Sequence, residues 1–141
     1  MSDREVDDLE AIKTVMARYF RFMDTKQWPE LRGVFADDMT MLAPDDVADA
    51  PALVGGDRVA RMIERVLGPA VTVHRGFLPE VEFMGPDTAR AIWAMEDVVE
   101  FPEAPERNFR GSGHYHATYT RTPEGWRIAS LVLRRLRLDH G

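Results

Sequence analysis

Residues 15–28 read VMARYFRFMDTKQW, and extending this row in both directions decides the fold. Ile12, Met16, Phe20 and Asp24 follow one another in steps of four, which stacks them on one face of a helix. Val6, Leu9, Tyr19 and Met23 widen the apolar stripe, and Ser2-x-x-Glu5 forms a capping box ahead of it. The spacing predicts a helix from about residue 3 to about residue 24. Three members of the row are core residues by type, and the fourth is an acid. Asp24 sits in the last turn, where the negative end of the helix dipole disfavours a carboxylate. Something must hold it at the lip of an apolar face.

Beyond Trp28 a short helix opens at Pro29, a first-turn proline, and carries Leu31, Val34 and Phe35 inward. DMTMLAP (38–44) is a short strand candidate. Residues 44–56, with Pro44, Pro51, Gly55 and Gly56, read as a loop and a candidate lid. GDRVARMIERVLG (56–68) predicts a third helix with Asp57 as N-cap and Gly68 as terminator. After Gly68 the pattern changes to strands: AVTVHRGFLPEVEFMG, TARAIWAMEDVVEF, NFRGSGHYHATYTRT and GWRIASLVLRRLRL. GPD (85–87) and TPEG (122–125) supply hairpin turns, and Pro79 predicts a break or bulge in the first long strand. Helices first and antiparallel strands after them specify an α+β domain, with helices packed on one face of a curved sheet. Such a sheet forms a cone whose floor is a pocket.

At 141 residues, with 45% apolar and 30% charged side chains, the chain has the balance of one folded domain spanning residues 1–141. A net charge of −6 argues against nucleic acid or an anionic membrane surface as partner. The basic run RRLRLDH, interleaved with Leu133, Leu136 and Leu138, reads as the wet face of a strand. No cysteine is present, which excludes disulfides, thiolate metal sites and cysteine nucleophiles. MSDREVDDLE has no apolar segment of the signal-peptide kind, and no run approaches the roughly 20 apolar residues of a membrane span. The expected location is cytoplasmic.

Few polar residues fall in apolar settings. Tyr19 lies on the buried helix face, either as a core tyrosine with a backbone partner or as a site group. Asp24 is either the first polar residue of the turn DTKQW or a site carboxylate. In VTVH, if Val71 and Val73 share one strand face, Thr72 and His74 share the other. His114 and His116 share one face of GSGHYHATY, and Tyr115 and Tyr119 the other. With His74 they suggest a metal, but no acid follows at a suitable offset, so no metal site is expected. Glu96 and Asp97 must face opposite ways, and parity with their apolar neighbours does not say which one turns inward. Hydrolase elbows, dinucleotide fingerprints and P-loops are absent, so no cofactor is implied.

ARYFRFMDTKQWPELRGVFADD early and GHYHATYTRTPEGWRIASL late resemble the nuclear transport factor 2-like superfamily, and more narrowly its SnoaL-like branch of scytalone dehydratase-like and bile-acid dehydratase-like enzymes. The resemblance covers nearly the whole chain. It implies a cone-shaped barrel and a cofactor-independent dehydratase, isomerase or cyclase acting on a small to medium apolar carbonyl compound. Carried over by position, Asp24 pairs with His74, Tyr19 polarises the substrate carbonyl, and His116 serves as a second histidine. Asp97 is the nearest match to an additional acid. Tyr115 and Trp93 are expected to line the substrate pocket. The open sheet face implies a homodimer or higher homo-oligomer. A non-catalytic binding or dimerisation module of the same fold is the alternative. An epoxide hydrolase would instead need an Asp–Arg–Asp set, for which Asp97 and Arg90 are available.

Overall fold

The computed structural model describes residues 1–141. Helix α1 runs Asp3–Asp24 and turns Ile12, Val15, Met16, Tyr19, Phe20 and Met23 into the core. Its start is fixed by the Ser2–Glu5 capping box, in which the Ser2 hydroxyl accepts the Glu5 N–H and Glu5 reaches back to the Ser2 N–H. Helix α2 (Trp28–Arg32) is a single turn, and β1 (Phe35–Leu42) begins earlier than the strand candidate did. The expected loop holds a two-residue strand, β2 (Leu53–Val54). Helix α3 (Gly56–Leu67) is capped at Gly55 rather than Asp57. Gly55 has φ +109°, which lets the chain turn one residue early, and the Asp57 carboxylate is taken instead by Arg32.

The long strands are β3 (Val71–Phe83), β4 (Thr88–Glu100), β5 (Phe109–Thr122) and β6 (Gly125–His140). The sheet order is β2-β1-β6-β5-β4-β3, antiparallel except where β1 meets β6. The sheet curls without closing, since β2 and β3 remain its edges. The register of β3 on β4 slips between Phe77 and Glu80, around Pro79 and the positive φ of Leu78. Inward residues of β4, β5 and β6 (Trp93, Met95, Tyr115, Tyr119, Ile128, Leu131) pack with α1 into one core. No helix is long and apolar enough to cross a membrane.

A buried carboxylate borders that core. Asp8, on the buried side of α1, accepts from the Trp126 indole at 3.0 Å and from Arg121 at 2.6 Å. Trp126 of the GWRI stretch thus fastens the last strand to the first helix. The Arg121 hydrogen bond lowers the Asp8 pKa below its ordinary 3.8, outweighing the opposing effect of burial. A depressed carboxylate pKa contributes stability that is full above the ordinary value and is lost as pH falls through the lowered one. Asp8→Asn is therefore expected to lower the melting temperature at neutral pH and to flatten its fall below pH 3.8, as read from melting curves across pH.

Candidate active site on the inner face of the sheet

In the first half of β3 the usual polarity is inverted. Val71 and Val73 are exposed, while Thr72 and His74 are buried against α1. The inward pair meets the end of the helix. Asp24 accepts the Thr72 hydroxyl at 2.9 Å and lies 2.7 Å from His74 Nδ1 through one oxygen, and its other oxygen accepts the His74 backbone N–H at 2.8 Å. Three donors on one carboxylate offset the unfavourable end of the helix dipole. Since an ionised Asp24 can only accept, Nδ1 is the donor of this pair, and a neutral imidazole then keeps its lone pair on Nε2. Phe20 stacks on the imidazole, with ring centroids 6.5 Å apart and planes 14° from parallel. Gly76 makes that possible, since a Cβ there would sit 2.4 Å from the Phe20 ring.

On the other side of His74 stands Asp97, its direct partner across the β3–β4 ladder, with a carboxylate oxygen 4.0 Å from Nε2. Parity is settled here: Trp93, Met95, Asp97 and Val99 point inward, and Glu96 is exposed. Asp97 is held bidentately by Arg135 of β6 at 2.8 and 3.0 Å. Both side chains are only 4% exposed. Arg135 forms a second bidentate pair with Asp46, at 2.6 and 3.0 Å, from the loop ahead of β2. Burial alone would lower the arginine pKa, but the hydrogen bonds to Asp46 and Asp97 hold it above the ordinary value. Deeper in, the Tyr19 and Tyr115 hydroxyls lie 3.2 Å apart. Burial first, and the neighbouring hydroxyl second, raises the Tyr19 pKa well above 10.0, so the phenol stays protonated and available as a donor.

The sequence matches the SnoaL-like domain family over residues 4–132. The chain belongs to that family. It is 26% identical to a probable cyclase from Gibberella zeae over 89% of each chain. Among solved structures, a scytalone dehydratase-like protein from Novosphingobium aromaticivorans superposes with a TM-score of 0.87 at 18% identity, covering 100% of this chain and 92% of that one. A type 3 hexachlorocyclohexane dehydrochlorinase from Novosphingobium barchaimii gives 0.84 at 17%, covering 99% and 94%. At these identities the structural likeness is one of fold.

Within this SnoaL-like fold, Asp24, His74, Asp97, Tyr19 and Tyr115 come together on the inner face, and His116 does not join them. Residues 113–119 of β5 alternate strictly, so turning Tyr115 and Tyr119 inward sends His114 and His116 to the outer face, where His116 is exposed beside Glu80, Glu82 and Arg90. Trp93 does face inward, but its indole N–H is already donated to the Tyr119 hydroxyl at 2.9 Å, which makes it part of the core. Arg90 pairs with Glu82 on the outer face. The buried arginine is Arg135, which the wet-face reading of RRLRLDH had placed in solvent. Its parity with Leu131 and Leu133 is the signal that could have found it. Two glycines of β5 clear its path: a Cβ at Gly111 would lie 2.2 Å from the Arg135 guanidinium, and one at Gly113 would strike the β6 backbone.

Proposed function

We propose that the chain is a cofactor-independent proton-transfer enzyme (a dehydratase, isomerase or cyclase) acting on a small to medium, largely apolar carbonyl compound. The observation that carries this reading is His74 set between two carboxylates, Asp24 on Nδ1 and Asp97 facing Nε2. In this reading Nε2 takes a proton from the carbon α to the carbonyl, and the electron pair moves onto the carbonyl oxygen. The Tyr19 phenol, with Tyr115 behind it, donates to that oxygen, worth a few kcal/mol in a water-poor site. The imidazolium, stabilised by both acids, returns the proton to a leaving hydroxyl or to another carbon. Of the two histidines that could do this, His116 lies on the outer face, which leaves the imidazolium of His74 itself. The names of the relatives support the class, because dehydratase and dehydrochlorinase both denote eliminations, which need a base. The epoxide-opening alternative named Asp97 and Arg90, but Arg90 pairs with Glu82 on the outer face, and the arginine between two carboxylates is Arg135.

The test needs no natural substrate. With cyclohexanone in D2O, the protein is expected to speed deuterium uptake at the α-carbon, followed by NMR. His74→Gln is expected to cut that rate by about 100-fold or more while leaving ketone binding in place. Equal exchange by both proteins would overturn the reading. Binding without exchange in either would instead identify a binding module.

A further inference from the structure

The two carboxylates on Arg135 are not equivalent. Asp97 is built into a central strand and buried. Asp46 belongs to an irregular stretch between β1 and β2, is 28% exposed, and is tied down by its N–H to the Ala43 carbonyl. Its neighbour Asp45 adds contacts to Arg134 and to the Arg135 backbone N–H. The guanidinium is rigidly presented: Asp97 fixes its Nη edge, the Phe109 ring lies 5.6 Å from its Cζ, and Gly111 leaves the room it fills. What Asp46 covers is the Nε–Nη2 edge, a two-donor fork whose spacing matches a carboxylate. Asp46 supplies that carboxylate from the one partner able to leave without unpairing a strand.

We propose that Asp46 stands in for a carboxylate of the substrate: a carbonyl compound with an acid group displaces Asp46 from Arg135, and the stretch carrying Asp45 and Asp46 lifts as it enters. This rests on the inner face being the substrate site, and it narrows the substrate from an apolar carbonyl compound to an apolar carbonyl acid. Arg135 then anchors the substrate's acid end beside Asp97, leaving the apolar body to run toward His74 and the tyrosine pair. The bound acid keeps the charge balance of the resting state, since one carboxylate replaces another.

The experiment compares hexanoate with its neutral isostere hexanamide by calorimetry, on the wild type and Asp46→Ala, with melting curves to confirm that each is folded. Removing the internal competitor is expected to tighten hexanoate binding by about tenfold or more, and to change hexanamide binding by less than about threefold. His74→Gln is read for proton exchange on cyclohexanone, and Asp46→Ala for hexanoate binding. Failed proton exchange therefore counts against the catalytic reading, and failed hexanoate binding against this one. Hexanoate no tighter in Asp46→Ala than in the wild type, or absent from it, overturns the proposal. So does equal tightening of acid and amide, which would make the segment a lid that recognises no anion.

Discussion

Asp24→Asn is expected to lower turnover by about four orders of magnitude while leaving the protein folded, because it inverts the tautomer of His74. The three hydrogen bonds on Asp24 dictate how the amide settles. The His74 backbone N–H, 2.8 Å from one carboxylate oxygen, can only donate, so the amide oxygen must take that position. The amide nitrogen then falls where the other oxygen was, facing His74 Nδ1 and the Thr72 hydroxyl. A hydroxyl can accept as easily as donate. The ring must now accept at Nδ1, which moves its proton to Nε2 and removes the base. Every group keeps a partner, so the stability cost is that of exchanging a charged acceptor for a neutral one, about 1 kcal/mol, or roughly 4 °C in melting temperature. Asp24→Leu is a poorer probe, since it strands the His74 N–H and the Thr72 hydroxyl with no acceptor. His74→Gln should cost a comparable factor, and the double variant little more than either single one, because the two residues act as a unit. The check is α-carbon exchange and melting curves on the same four proteins. Folded Asp24→Asn that keeps turnover within about threefold of the wild type would refute the role given to Asp24.

The residues that were legible in the sequence are those whose local pattern and chemistry disagree. An acid ending an apolar helical row, and a Thr-x-His pair whose valine neighbours take the other strand face, each break a rule that a structural residue would keep. Both meet at one hydrogen-bonded cluster. The four long strands were legible because the two-residue alternation and the turn residues agree. Arg135 was not, for a reason internal to β6. The register of β5 on β6 slips between Ser112 and Gly113, pairing Gly113 with Arg135 and Ser112 with Arg137, so Leu136 bulges outward and is 77% exposed. A reader who takes Leu136 as core inverts the parity of its neighbour. Asp46 was illegible in another way, since nothing in a loop's sequence says which distant cation it will meet. The same parity rule, applied where no bulge intervenes, does place His116 outside, and only the carry-over from the family resemblance drew it in.

Arg135→Met is expected to be the most destabilising single change in the site, by about 3–5 kcal/mol, because it leaves Asp97 as a buried carboxylate without its counter-ion. Asp46 loses the same partner but can turn to water, so the cost concentrates on the strand residue. The pair itself need not be worth that much. Desolvating two charges costs several kcal/mol, and an apolar pair of similar volume often does as well or better. Arg135→Met with Asp97→Leu is therefore expected to recover most or all of the lost stability, a strong coupling between the two sites that urea unfolding can measure. Gly111 supplies an independent check. In the wild type a Cβ there would collide with the guanidinium, so Gly111→Ala should destabilise, and in the apolar double variant the same change should be tolerated. Exchange activity should not return in the double variant, since the repaired core no longer places an acid opposite Nε2. If Arg135→Met alone costs less than about 1 kcal/mol, or if the double variant is no more stable than the single, the ion pair is not a buried one in solution, and the rigid presentation of Arg135 falls with it.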